Sequence, residues 1–188
     1  CHMSAGIDEG KTHNVGERIS WTLRPPISKK INLVKLENGD EFDVPEGKEI
    51  PKVGDEAKGS KVVEVLTWED RRGKMENICY SCHATSVVEG HYAQFDAVVD
   101  LYNEKFAKPI AAVMAELKEK GYTTPAPFDD KIEWIWWEIW HHEGRRARHG
   151  ASMNGPDYTW WHGIYDVAKH TYFDWIPELK EVAMKKDG

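Results

Sequence analysis

The stretch Cys79-Tyr80-Ser81-Cys82-His83 decides how this chain is read. It follows the Cys-x-x-Cys-His spacing that attaches a c-type haem. Two thiols add across the two vinyl groups, and the adjoining imidazole becomes the first axial ligand. Two other chemistries use such a pair. A structural zinc site needs four closed ligands, and no second Cys/His pair at matching spacing accompanies this one. A redox dithiol opens a helix after a strand in a βαβ pattern, which the flanking sequence does not show. Haem attachment is the reading the spacing favours over both.

Composition agrees with a protein wrapped around flat apolar groups that need metal ligands. The 188 residues hold 9 tryptophans and 9 histidines, enough chain for one domain with a sizeable core. The formal net charge is -7, and no basic block interrupts it, which argues against nucleic acid as a partner. No apolar run approaches membrane-spanning length. Of the 3 cysteines, the one outside the motif is Cys1, followed directly by His2. That pair reads as the tail of a second Cys-x-x-Cys-His. The alternative is a cloning remnant at His2-Met3, but such a remnant does not supply the cysteine. The chain is therefore expected to be the C-terminal part of a longer polypeptide. Covalent haem attachment takes place outside the cytoplasm, so a periplasmic or equivalent compartment is expected.

Outward from the motif, the pattern predicts a mainly α-helical protein with a small β excursion, all within one domain over 1–188. Residues 1–30 are broken by Gly6, Gly10, Gly16, Pro25 and Pro26. Ile31–Leu36, Phe42–Val44 and Lys61–Leu66 read as strands, with a turn at Asn38-Gly39, giving a β insertion over 31–66. From Val88 to Leu117, apolar residues recur at alternating spacings of four and three, which predicts a long helix over 86–120. Pro109 is expected to kink or split it. A second helix over 129–149, capped at Asp129 or Asp130, is apolar almost all round and is expected to be buried on several sides, with Gly150 as its end. A third, over 158–176, is expected to stop before Pro177, and the charged last residues are expected to fray.

Two motifs account for His2 and His83, leaving seven histidines, of which two or three are expected to be surface or hydrogen-bonded core residues. His142 and His149 are seven apart. At about 100° per residue they share a helix face, roughly 10 Å apart along the axis. Two such imidazoles could serve neighbouring haems. His141 points about 100° away from His142, so both cannot ligate one iron. Arg145, Arg146 and Arg148 lie between, and guanidinium groups suit haem propionates, with a solvated basic face as the alternative.

The run Trp140-His141-His142-Glu143-Gly144-Arg145-Arg146-Ala147-Arg148-His149-Gly150-Ala151-Ser152-Met153 continues into Pro156-Asp157-Tyr158-Thr159 and Trp161-His162-Gly163. Together these resemble octahaem hydroxylamine oxidoreductase. Cys1-His2-Met3-Ser4, Thr12-His13-Asn14-Val15-Gly16, Arg18-Ile19-Ser20-Trp21 and Leu101–Pro109 share the likeness, which covers most of the chain except the β excursion. The resemblance implies a homotrimeric multihaem cytochrome c with long C-terminal helices. All but one of its haems are bis-histidine electron carriers. One is catalytic, and in the oxidising members it is crosslinked to a tyrosine of the neighbouring subunit.

Carried onto this sequence, the crosslinking residue is Tyr158, with Tyr165 as the fallback. His13, His142, His149 and His162 match distal ligands, His141 is a further candidate, and His91 and His170 match none. The catalytic haem's own motif and distal groups are not in this sequence, so the segment alone is not a complete active site. The implied activity is oxidation of hydroxylamine or hydrazine, with electrons passed to a small cytochrome c or similar acceptor. An extracytoplasmic location such as the periplasm or the anammoxosome is implied with it. A nitrite or hydroxylamine reductase of the same family and a non-catalytic electron-transfer subunit are the alternatives.

Overall fold

The computed structural model describes residues 1–187, and side chains through residue 185. The chain is mainly helical with one small antiparallel sheet. It divides into two compact units, one of Cys1–Thr22 with Lys29–Gly90, the other of Leu23–Ser28 with the chain from His91 on.

In the first unit, β1 (Ile31–Leu36), β2 (Glu41–Pro45), β3 (Glu56–Ala57) and β4 (Ser60–Leu66) form a sheet in the order β2-β1-β4-β3. β1 pairs antiparallel with β2 from Ile31↔Pro45 to Lys35↔Glu41. The turn between them places Gly39 at φ +89°, a region open to glycine. Val34, Leu36, Val44 and Val62 form the sheet's core. The two-residue β3 escaped the sequence reading because it is too short to show alternation.

α1 (Trp68–Tyr80) follows the sheet and carries the Cys-x-x-Cys-His motif at its end. It opens on a capping box: the Asp70 amide donates to Thr67 Oγ1 at 3.1 Å, and the Thr67 amide donates to Asp70 Oδ2 at 2.9 Å. Such a box is worth about 1 kcal/mol. The Trp68 amide donates to Asn32 Oδ1 at 3.0 Å, while Asn32 Nδ2 donates to the Val44 carbonyl at 3.1 Å. One strand side chain thus fastens the helix to the sheet. Arg71, buried in α1, donates to the carbonyls of Gly16 and Ile31 and to Asp43.

α2 (Thr85–Tyr102), a π-helical turn at Asn103–Ala107 and α3 (Lys108–Glu119) form a continuous helical run. Pro109 therefore does not split the helix. A proline clashes with the carbonyl four residues back, here Lys105, which lies inside the wider turn; the Lys108 amide reaches Asn103 O instead. The buried stripe follows the seam: Phe95, Val99, Tyr102, Phe106, Ile110 and Leu117 are all buried.

α4 (Lys131–Glu138), a π turn at Ile139–Glu143 and α5 (Gly144–Ser152) form the next helical run. Asp130 is its N-cap by position, but its side chain accepts from the Thr124 amide rather than from the helix. Burial on several sides is corrected: Ile132 and Ile139 are fully buried, whereas Trp134 is exposed and Trp136 and Trp137 are half-covered. Gly150 lies inside α5 rather than ending it.

The last helical run also exceeds its expected bounds. A π-helical segment at Asp157–Tyr165, α6 (Asp166–His170), a π turn at Thr171–Trp175 and α7 (Ile176–Asp187) run on through Pro177. Helix holds as far as Asp187, and Gly188 lies outside the described residues. The core of this second unit gathers Tyr102, Phe106, Ile110, Ile132, Ile139, Val167 and Trp175.

Candidate cofactor site

The candidate residues fall into two groups, one in each unit. In the first unit, Cys79 closes α1 and the motif coils on from it. The Cys82 and His83 amides donate to the Cys79 carbonyl at 3.1 and 2.9 Å. All three cysteines are free thiols, with Cys79 half-buried and Cys1 and Cys82 exposed. His83 is exposed as well. Burial, reinforced by Glu76, pushes the Cys79 thiol up.

Cys1 and His2 are held beside a buried arginine. The Arg18 guanidinium donates to the carbonyls of Cys1 at 3.2 Å, His2 at 2.9 Å, Ser4 at 2.8 Å and Gly10 at 2.7 Å. Gly6 packs so closely on α1 that a Cβ there would stand 2.7 Å from Ile78 Cδ1. The His2 imidazole is pulled below its ordinary pKa by burial, then by the N-terminal amine and Arg18, and its buried Nδ1 makes no hydrogen bond among the described residues. His13 stands exposed just before the short 3₁₀ turn Val15–Arg18, next to an Asn14 that is fixed by Glu41. Sequence reasoning missed Arg18 and Arg71 as organisers of this unit, because their partners are mostly main-chain carbonyls.

In the second unit, His141, His142, Arg145, Arg146, His149 and Tyr158 border one cavity of about 520 Å³, together with Gly150, Met153 and Gly155. That volume lies in the range of small-molecule and cofactor sites. The cavity draws on the π turn 139–143, α5 and the π-helical segment 157–165. The segment packs against α5 through two glycines. A Cβ on Gly150 would stand 2.7 Å from the Thr159 amide nitrogen, and one on Gly163 would stand 2.6 Å from Ala147 Cα.

Charge around the cavity is positive, which favours the neutral form of two of its imidazoles, His141 and His149. His149 is pulled below its ordinary value by burial, then by Arg145, Arg148 and Arg24. His141 is pulled down by burial, then by Arg145 and His142. Arg145 Nη1 lies 2.9 Å from His141 Nε2.

The other candidates lie apart from this lining. His162 is exposed between Asp157 at 3.5 Å and Asp166 at 3.9 Å. Tyr165 is also exposed. His91 meets Asn154 at 3.3 Å, and His170 faces the buried Glu143 at 3.6 Å. Burial pushes the Glu143 carboxyl up, against the pull of His170. Arg148 is not available to a propionate: it is fully buried and donates to main-chain carbonyls and Ser28.

These residues suit haem in both places. The first unit offers exposed Cys82 and His83 at the end of a fixed helix. The second offers imidazoles and guanidinium groups around a single hollow in which, among the described residues, no cysteine takes part.

No family model matches the chain, and no curated protein matches it. Among solved structures, one described as a "Hypothetical multiheme protein" is similar at 17% identity with a TM-score of 0.60. The match covers 95% of this chain and 43% of that one, so the chain spans less than half the length of the neighbour. At this identity the likeness is one of fold: a mainly helical chain with a small antiparallel sheet, in line with a multihaem protein.

Proposed function

We propose that this chain is part of a multihaem c-type cytochrome whose role is electron transfer between closely spaced haems. The observation that carries the reading is the cavity, which collects His141, His142, His149, Arg145, Arg146 and Tyr158 from separate helical segments. Haem bound there would supply the redox chemistry. The chain's part would be to ligate through imidazole and to meet propionates with Arg145 and Arg146. A second haem would be attached at Cys79 and Cys82 with His83 beneath it, and another at Cys1-His2. His13 and His162 would serve haems outside the cavity. Among the described residues no cysteine lines the cavity, so a haem bound there would take its thioether links from cysteines outside that lining.

The finer reading is an octahaem hydroxylamine oxidoreductase-like enzyme that oxidises hydroxylamine or hydrazine. In that reading Tyr158, 57% exposed at the cavity edge, would be the residue that crosslinks to a haem of a neighbouring subunit. A homotrimer, a small cytochrome c as electron acceptor and an extracytoplasmic location belong to the same reading.

Mass spectrometry of the denatured, mature protein tests both levels. Peptides spanning Cys79–His83 should carry a covalent haem that the double variant Cys79→Ala/Cys82→Ala loses. An unmodified wild-type peptide would overturn the cytochrome reading. A Tyr158 peptide without a haem adduct would remove the oxidising enzyme and leave electron transfer.

A further inference from the structure

His141 and His142 are adjacent and both border the cavity, yet their nitrogens are differently committed. A guanidinium can only donate, so Arg145 Nη1, 2.9 Å from His141 Nε2, occupies the lone pair of that nitrogen. The other nitrogen, Nδ1, is buried and makes no hydrogen bond among the described residues. Neither nitrogen of His141 is presented to the cavity as a free lone pair. The ring is also clamped. It stacks on Trp137 with centroids 4.2 Å apart and planes 16° apart, and meets Trp140 edge-on at 5.1 Å.

His142 contrasts with it. Its side chain is exposed at the cavity and meets the same indole in a T-shaped arrangement, with a Trp137 centroid distance of 4.7 Å and an interplanar angle of 71°. It lies 5.3 Å from the His141 ring. Trp137 is thus a shared wall for two imidazoles, one stacked on its face and locked, the other packed edge-on and open.

We propose that His142 is the iron ligand of this pair and that His141 is a positioning residue, held by Trp137 and Arg145, that sets the ring plane of His142. The assignment rests on the haem reading above. It adds a division of labour within the His-His pair and a role for Trp137. An axial imidazole's plane fixes how its π electrons mix with the iron, so a positioning residue acts on the spectrum and potential of one haem without changing its ligand count.

The test uses the intact, haem-loaded protein, with low-temperature electron paramagnetic resonance and spectroelectrochemical titration, both normalised to haem content. His142→Met should remove one bis-imidazole low-spin signal. His141→Leu and Trp137→Leu should keep every low-spin haem but shift the g values and midpoint potential of the same one. His141→Gln, which retains an acceptor for Arg145, should lie closer to the wild type and guards against a Leu variant that does not fold. Loss of a low-spin signal in His141→Gln would make His141 a ligand and overturn the proposal. Spectra of His141→Leu and Trp137→Leu identical to wild type would overturn the positioning role while leaving His142 as ligand. An unchanged spectrum in His142→Met would instead remove the haem reading of the cavity, and this inference with it.

Discussion

Arg148 brings a full charge into a site where, among the described residues, no carboxylate answers it. Its side chain is fully buried. Nε donates to the Gly144 carbonyl at 2.8 Å, Nη1 to the Pro25 carbonyl at 2.7 Å and Ser28 Oγ at 2.8 Å, and Nη2 to the Trp140 carbonyl at 3.2 Å. The guanidinium also lies 4.3 Å over the Tyr102 ring. Cutting this group leaves several buried acceptors unpaired, so Arg148→Met should destabilise the protein by about 3–5 kcal/mol. Arg148→Lys should recover only part, since one ammonium cannot span the same fork. Urea midpoints of the three proteins check this, and a loss below about 1 kcal/mol would show that water replaces the bonds. The sequence gives no sign of this role. Between Arg146 and His149, Arg148 reads as one more propionate partner, because its acceptors are mostly main-chain atoms, as far as 123 residues away. The candidate ligands are more legible: histidine and the Cys-x-x-Cys-His spacing name their chemistry wherever the chain takes them. Their separation between a motif in one unit and a cavity in the other is not written in any local pattern.

At the scale of elements, the helices are legible and their windings are not. The seam from Val88 to Leu117 announces its helix by period alone, and the Asn38-Gly39 turn announces the first hairpin. Pro109 and Pro177 read as breaks, yet each is the second residue of a helix that continues from a π turn. The wider turn removes the carbonyl that the proline ring would strike, and periodicity over so few residues cannot reveal it. α1 does not show in the sequence pattern although Thr67-x-x-Asp70 spells a capping box, because its apolar face is too sparse to show a period. Glycines record where elements touch. A Cβ on Gly163 would stand 2.5 Å from the Tyr158 carbonyl and 2.6 Å from Ala147 Cα. Both contacts are main-chain atoms that cannot step aside, so Gly163→Ala should cost about 1–3 kcal/mol and displace Tyr158 from the cavity edge. Gly73, inside α1, has nothing within 4 Å of its added Cβ. There the same change should stabilise by about 1 kcal/mol through helix propensity alone. Chemical denaturation of both variants separates packing from propensity, and equal effects at the two sites would contradict the close approach.

For the molecule as a whole, the alkaline limit of stability is set in part by one buried phenol. Tyr102 is completely buried in the helical core, where its hydroxyl donates to the Pro26 carbonyl at 2.7 Å. Burial pushes its pKa from 10 up to about 12, against a smaller opposing pull from Arg148. A phenol with a raised folded-state pKa holds its proton more tightly in the native protein than in the unfolded chain. Between pH 10 and about 12 the unfolded chain ionises while the folded one does not, so stability falls as pH rises across that window. A shift of this size corresponds to roughly 3 kcal/mol by its upper end. Burial presses the Arg148 pKa downward as well, which alone would act in the opposite sense. A guanidinium committed to four oxygen acceptors keeps its proton through this range, so the phenol sets the slope. Tyr102→Phe removes the titrating group and one buried donor. Its unfolding free energy, read from urea titration, should fall by about 1 kcal/mol near neutral pH, where the lost hydrogen bond dominates. Between about pH 10 and 12 its stability should decline less steeply than that of the wild type, bringing the two curves together or crossing them. Parallel curves over that window would mean that Tyr102 ionises alike in both states, and that its closure in the core is lost before the phenol titrates.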